Sequence, residues 1–133
     1  MHYVSKIDEA IAQIPKLYKN QSTGFRRAAY VERAMGSVHM GTGICYLNAN
    51  GISQPHIHSF EQSFYILDGN VIAQIGDQAY LLSPGNFALI STGVKHAFRN
   101  AGNEPVRWIE TQAPLPPAKE VFRFERDWAQ QYA

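Results

Sequence analysis

The hydrophobic pattern divides the chain into a short helical start and a long strand-rich body. Ile7, Ile11 and Ile14 recur at the spacing of one helix face. Ser5 can cap the first turn, and a proline directly follows Ile14. The pattern therefore predicts one short amphipathic helix over residues 5–14.

From Gly24 onward, short runs rich in Val, Ile, Tyr, Phe and Thr alternate with Gly, Asn, Asp and Pro, which is typical of strands joined by turns. The predicted strands are 25–33, 37–48, 54–58, 62–68, 70–75, 78–82, 87–91, 95–100 and 106–112. A turn signal such as "NANG" at 48–51 falls between neighbouring strands. Because no helical segment intervenes, parallel βαβ units are not predicted, and the spacing favours a β-sandwich or small barrel.

The pattern breaks again near the C-terminus, at "APLPPA" (113–118). The next segment, 119–128, is predicted to be either an added strand or a helix, and its apolar residues indicate packing against the rest: Val121, Phe122, Phe124 and Trp128. We therefore expect an N-terminal helix and lead-in over 1–23, a β-barrel over 24–115, and an extension over 116–133 that packs on the barrel.

Composition narrows the class of partner. A chain of 133 residues suits one domain. Its 12 basic and 11 acidic residues nearly cancel, which argues against a nucleic-acid groove or an anionic membrane surface. A small-molecule substrate or a second copy of the chain is the expected partner. No long apolar run or signal-peptide pattern occurs, so a cytoplasmic protein is predicted. The lone Cys45 is expected to be a buried hydrophobe rather than a reactive thiol.

The stretch "PHIHSFEQSFYILDG" (55–69) carries the candidate chemistry. His56 and His58 are two positions apart, so a strand directs both imidazoles to one face. Gln62 shares their parity, whereas Glu61 points the other way if the intervening turn preserves the alternation. In a barrel the shared face is the interior, and His96 would enter it from a later strand. An HxH pair is common by chance, so these positions alone leave a metal site as one interpretation among others.

The same stretch resembles the first cupin motif, in which a glycine precedes HxH and a glutamate follows, six residues before a second glycine. Gln62 stands where the family usually has glutamate, with six residues between it and Gly69. Four residues separate Gly51 from His56, in place of the usual five.

Residues 85–100, "GNFALISTGVKHAFRN", are similar to the second cupin motif. The family offsets fall on Gly85, Gly93, His96 and Asn100, with serine at 91 where proline is usual. The resemblance implies an all-β fold, a cupin-type double-stranded β-helix (jelly-roll) barrel with a short N-terminal helix. It also implies a homodimer, in which residues 5–33 are available to pack across the neighbour.

By the same resemblance, one divalent transition metal (Mn, Fe, Ni or Zn) is held by His56, His58, Gln62 and His96. Two alternatives stay open for the fourth position. Gln62 is a purely structural glutamine beside three histidine ligands, or Glu61 reaches the metal through a bulge.

A neutral fourth ligand leaves a divalent ion its full charge, which suits Lewis-acid chemistry. A three-histidine, one-glutamine set also resembles that of some non-oxidative cupins. The predicted function is a metal-dependent monocupin enzyme acting on a small oxygen-rich substrate, a carboxylate or carbonyl compound, as a hydrolase, lyase or isomerase. The alternatives are an Fe(II) dioxygenase of the same fold and a non-catalytic module that binds or senses a small ligand.

Three further side chains are candidates for catalysis. Arg99 could clamp a substrate carboxylate, Tyr65 could donate a proton, and Glu61 could act as a base near the rim. The alternatives are a solvated arginine, an ordinary strand tyrosine and an exposed glutamate. Arg26, Arg27 and Arg107, in predicted strands, are open to the same two interpretations: a substrate clamp, or else a solvated strand face or an ion pair.

Overall fold

The computed structural model describes residues 2–115 and 122–126. Within these ranges the chain forms one sheet of ten strands. The strands are β1 (Ser22–Val31), β2 (Gly41–Ser53), β3 (His56–His58), β4 (Glu61–Asp68), β5 (Val71–Ile75), β6 (Gln78–Leu82), β7 (Phe87–Ile90), β8 (His96–Arg99), β9 (Val106–Ala113) and β10 (Phe122–Phe124). Short 3₁₀ turns lie at Glu9–Ile11, Lys16–Tyr18 and Arg33–Met35.

The sheet curls into an antiparallel barrel, which confirms the predicted fold class. Its main path runs β10-β3-β8-β2-β9-β4-β7, while β1 pairs with β2 and β5 pairs with both β6 and β8. The long strand β2 pairs with β1, β8 and β9. This arrangement places β3 and β8, which carry the three motif histidines, side by side in the barrel wall.

Alternating inward-facing residues, as in β4, help to fill the barrel interior, while β2, β5 and β8 carry runs of consecutive buried residues. In β4, Gln62, Phe64 and Ile66 are buried while Glu61 and Ser63 are exposed. The core cluster comprises Phe25, Cys45, Leu47, Phe64, Ile66, Val71, Ala73, Ile90, Phe98, Val106 and Trp108. Aromatic rings dominate its centre, where the Phe98 and Trp108 centroids lie 4.9 Å apart. Cys45 belongs to this core with no exposed surface, as predicted.

The predicted turn at 48–51 is wrong, because these residues lie within β2. Thr23 of β1 faces Ile52 and Phe25 faces Leu47, so residues 48–51 bulge outward opposite a single residue of β1. Asn50 takes a positive φ of 61° there, which asparagine tolerates better than most residues. The chain therefore forms a bulge where the turn-forming residues predicted a reversal of chain direction.

The predicted helix over 5–14 is also reduced, to the single 3₁₀ turn Glu9–Ile11. Asp8, not Ser5, caps this turn by accepting a hydrogen bond from the backbone N–H of Ala10. The backbone of Gln13 exchanges hydrogen bonds with that of Arg27 in β1, at 3.1 and 2.8 Å. That pairing requires an extended chain, so a helix cannot continue to residue 14.

Without a helix, the three isoleucines do not form a buried face. Ile7, Ile11 and Ile14 are 51, 47 and 56% exposed. The next turn, Lys16–Tyr18, carries the chain to the barrel, where the Tyr18 ring packs against Phe25. The N-terminal segment thus delivers one aromatic side chain to the interior.

The sequence predicted either a strand or a helix in the C-terminal segment, and the structure has a strand there. β10 pairs with β3, and Phe124 lies opposite His56. Val121 and Trp128 lie outside the described residues. The boundaries predicted at 23/24 and 115/116 stay a prediction. Among the described residues, no helix is long and apolar enough to cross a membrane.

Candidate metal centre

Three histidines converge inside the barrel. His56 and His58 come from β3, and His96 comes from β8 directly opposite His56. Their ligand atoms all lie within 4.8 Å of one another. The side chains are buried, with exposed fractions of 0, 3 and 0%. The even spacing of the HxH pair and the antiparallel register of β3 with β8 together produce this convergence.

Backbone carbonyls fix the orientation of all three rings. The Nδ1 atoms of His56, His58 and His96 lie 2.8, 2.8 and 2.9 Å from the carbonyl oxygens of Gln54, Phe60 and Val94, respectively. Because a carbonyl oxygen can only accept, each Nδ1 carries the proton and donates it. Each neutral ring then presents an unprotonated Nε2, which is the form that binds a metal ion.

Burial keeps these imidazoles neutral. It lowers the pKa of His56 to about 4, and it also lowers the pKa of His58. Burial together with the neighbouring His56 lowers the pKa of His96 well below its ordinary value. Since protons do not compete for the Nε2 atoms near neutral pH, a metal ion can bind without displacing them.

Gln62, on β4, joins the histidines. Its side chain is 2% exposed, and its Oε1 lies 3.0 Å from Nε2 of His58. His58 thus meets oxygen acceptors at both nitrogens, although a neutral imidazole has one N–H. One of the two contacts sets lone pair against lone pair, and a cation bound between Nε2 and Oε1 relieves that conflict.

Nε2 of His96 gives a second test of fit. This atom is buried and has no hydrogen-bond partner within residues 2–115 and 122–126. Buried polar atoms are rarely left unsatisfied without a reason. A three-nitrogen, one-oxygen donor set suits first-row transition metals. The residues present therefore fit a divalent metal ion at this position.

A buried carboxylate lies immediately outside Gln62. Glu110 is 4% exposed and its Oε1 accepts a hydrogen bond from Nε2 of Gln62 at 2.6 Å. Its Oε2 accepts from Nε of Arg27 at 2.7 Å and from Nε2 of Gln112 at 3.1 Å. Of the two interpretations of Arg27, the ion pair is the one observed.

Tyr18 reaches the centre from the N-terminal segment. Its hydroxyl lies 3.1 Å from Nε2 of His56 and donates to that unprotonated nitrogen. Burial, reinforced by the negative charge of Glu110, raises the pKa of Tyr18 well above its ordinary value. The phenol therefore stays protonated beside the histidines.

Aromatic rings pack against two of the histidines. Phe60 stacks on His58 with ring centroids 3.9 Å apart, and Phe124 packs against His56 at 5.0 Å. These contacts restrict rotation of the imidazoles and exclude water from their faces. The centre is thus rigid and mostly apolar around a small set of polar atoms.

The three predicted catalytic residues do not converge on the histidines. Glu61 is exposed, and Tyr65 is half-buried on the outer face of β4 against Phe87, with ring centroids 4.5 Å apart. Arg99 alternates with the inward-facing Phe98 and is half-buried in β8. Their catalytic roles stay predictions, and the geometry assigns no step to them.

Two residues of the centre were missed by sequence reasoning. Glu110 had an available signal, because it shares strand parity with the buried Val106 and Trp108, and an acidic side chain on an inward face is unusual. Tyr18 had none, since its position depends on a 3₁₀ turn that the helix prediction did not include.

Fold and site together define a small β-barrel protein with a buried histidine centre suited to a metal ion. The family model described as a cupin domain matches residues 43–111, which is more than half of the chain. The chain belongs to the cupin family. No curated protein matches it in sequence.

Solved structures give the same fold. The polyketide cyclase RemF from Streptomyces resistomycificus is similar with a TM-score of 0.78 at 17% identity, over 97% of this chain and 89% of that one. A predicted oxalate decarboxylase from Thermotoga maritima has a TM-score of 0.64 at 18% identity, over 71% and 84% of the two chains. KdgF from Halomonas sp. has a TM-score of 0.63 at 16% identity, over 70% and 81%. At such identities the likeness shows the fold alone.

Proposed function

We propose that this chain is a metal-dependent cupin enzyme acting on a small, oxygen-rich carbonyl or carboxylate substrate by non-oxidative Lewis-acid chemistry. The observation that carries the proposal is the convergence of three unprotonated Nε2 atoms with the Oε1 of Gln62 in the buried interior of the barrel. His56, His58, His96 and Gln62 would hold one divalent ion.

The charge around the centre supports this class of chemistry. All four proposed ligands are neutral, and the nearest carboxylate, Glu110, is paired with Arg27. The carboxylate and the guanidinium together carry no net charge, so this pair does not offset the positive charge of a divalent ion. When bound, such an ion supplies Lewis acidity, polarising a carbonyl or carboxylate oxygen of the substrate.

Tyr18 supplies the proton-carrying group. Its hydroxyl hydrogen faces His56 Nε2, the same atom that the proposed ion would use. With that nitrogen occupied, the hydroxyl is available to donate to a substrate oxygen at the centre. Its raised pKa keeps the phenol protonated near neutral pH, so the hydroxyl can donate a hydrogen bond to that oxygen as charge develops on it.

A small cavity beside Tyr18 and Glu110 offers an approach for the substrate. Its volume is about 220 Å³, and its lining includes Tyr18, Glu110 and Arg27 together with the apolar side chains of Leu17 and Phe25. The mixed lining suits a compact molecule with an apolar side and an oxygen-rich end. The similar polyketide cyclase is a precedent for an enzyme on this fold that acts on an organic substrate.

The test is an anaerobic substrate screen. Protein loaded with Mn²⁺, Fe²⁺, Ni²⁺ or Zn²⁺ is incubated without oxygen with hydroxy acids, keto acids and diketones, and products are followed by NMR. We expect metal-dependent turnover that a chelator abolishes and added metal restores. Turnover that strictly consumes O₂ would contradict the proposal in favour of an Fe(II) dioxygenase. Tight ligand binding without metal or turnover would favour a sensing module.

A further inference from the structure

The buried carboxylate of Glu110 accepts hydrogen bonds from three side chains. Oε1 accepts from the amide Nε2 of Gln62 at 2.6 Å. Oε2 accepts from Arg27 Nε at 2.7 Å and from Gln112 Nε2 at 3.1 Å. Glu110 lies on β9 opposite Phe64 of β4, so it projects into the same inward face as Gln62.

This contact determines which end of the Gln62 amide faces the histidines. A side-chain amide has one accepting end and one donating end, and rotation by 180° exchanges them. A carboxylate accepts hydrogen bonds, so the NH₂ end of Gln62 must face Glu110. The carbonyl oxygen is thereby directed toward Nε2 of His58. A reversed amide would place two oxygens in contact at the Glu110 end.

The same contact bears on why glutamine occupies position 62. With glutamate there, two buried carboxylates would meet at the 2.6 Å separation now bridged by an N–H. Like charges that close inside a barrel cannot both remain ionised without a large cost. Exchanging the two residues would instead keep one amide and one carboxylate in contact, with the carboxylate on the histidine side.

We propose that Glu110 is a positioning residue for the fourth metal ligand. Held by Arg27, it locks the carbonyl oxygen of Gln62 toward the three histidines, and its presence requires an amide at position 62. The inference rests on the proposed metal centre. It adds to that centre a carboxylate that tunes metal affinity through the amide without touching the ion.

The test is a titration with Co²⁺ alone, followed by the visible d–d bands, which respond to the number and kind of ligands. We expect Glu110→Gln to bind Co²⁺ about 10- to 100-fold more weakly than the parent, with altered bands, as is typical when a group supporting a metal ligand is removed. Glu104→Gln is the matched control: it makes the same carboxylate-to-amide change at an exposed position, and should keep affinity within about threefold.

The exchange variant Q62E/E110Q separates positioning from structure. Compared with Q62E, in which two carboxylates would meet, it restores an N–H···O bond between the two side chains, so we expect it to bind Co²⁺ at least tenfold more tightly than Q62E. If Glu110→Gln does not fold, the comparison of Q62E with the exchange variant still tests whether the residue at position 110 positions the side chain at position 62.

The outcomes are distinguishable. A parent that binds no Co²⁺ overturns the proposed metal centre, and this inference with it. A parent that binds Co²⁺ while Glu110→Gln shows the same affinity and bands overturns the positioning role and leaves the centre standing. Lost affinity in Glu110→Gln together with an exchange variant that binds no more tightly than Q62E, and with lowered thermal stability of the metal-free protein, shows a structural role and also overturns it.

Discussion

At the scale of single residues, the centre depends on which atoms carry protons. Three backbone carbonyls hold the Nδ1 protons of the histidines, and burial keeps the rings neutral. These influences are local and independent of any metal. The unprotonated Nε2 atoms are therefore preorganised, and binding a metal ion costs little free energy for reorienting the ligands.

The histidine pKa values predict how the metal-free protein responds to pH. The folded pKa of His56 is about 4, below the unfolded value near 6.5, so the unfolded state binds more protons between these limits. The free energy of unfolding should fall as the pH is lowered from about 6.5 to about 4. Urea unfolding of metal-free protein across this range measures it. His39→Gln, at an exposed position, should leave the slope unchanged, and a parent with a flat profile would refute the prediction.

Tyr18 and Tyr65 provide a matched pair for catalysis. Tyr18→Phe should lower turnover at saturating substrate by about 10²- to 10⁴-fold, because a positioned proton donor is lost while the metal ligands remain. Tyr65→Phe removes a hydroxyl on the outer face and should have little effect. Turnover is measured on a substrate found in the anaerobic screen, with metal content as control. The reverse pattern would restore Tyr65 as the catalytic tyrosine.

At the scale of elements, the bulge in β2 is held by the motif asparagine. Nδ2 of the buried Asn100 lies 3.1 Å from the carbonyl oxygens of Leu47 and Asn48 and 2.7 Å from that of Glu104. Its Oδ1 accepts from the N–H of Gly102 at 3.0 Å. One side chain thus connects the end of β8 to the irregular part of β2.

Removing that side chain should destabilise the fold without removing a metal ligand. Asn100→Ala leaves buried carbonyl groups unsatisfied, and a loss of about 1–3 kcal/mol in the free energy of unfolding is expected. Chemical denaturation of the metal-free protein measures it. Asn103→Ala, at an exposed position nearby, is the control. An unchanged free energy in Asn100→Ala would show that the bulge does not depend on it.

Strand alternation explains how much of these elements the sequence could predict. Each predicted strand overlaps an observed one, because period-two burial is imposed by the pleat itself. The inward placement of His56, His58 and Gln62 follows from the same rule. Strand alternation predicts neither the bulge in β2 nor the absence of the N-terminal helix, because each depends on a partner distant in sequence. The bulge forms against β1, and the chain at Gln13 is held extended by Arg27. The contacts of Tyr18 and Glu110 are likewise tertiary.

At the scale of the whole molecule, the N-terminal segment bears on the predicted homodimer, which stays a prediction. Ile7, Ile11 and Ile14 are exposed, with Tyr3 and Val4 55 and 87% exposed beside them. Sedimentation should give a mass of roughly twice the 14.9 kDa of one chain. Replacing the three isoleucines by serine should shift the mass toward one chain. A parent that sediments as a single chain at high concentration would contradict the prediction.

The central claim is that the three histidines and Gln62 hold a metal ion, and metal content tests it most directly. The protein is purified without an affinity tag or chelator and analysed by plasma mass spectrometry, beside His96→Ala and the exposed control His39→Ala. We expect about one divalent transition-metal ion per chain in the parent and in His39→Ala, and loss of the metal in His96→Ala. A parent that is empty and refuses added Mn²⁺, Fe²⁺, Ni²⁺ and Zn²⁺, or a His96→Ala that retains its metal, would contradict the claim.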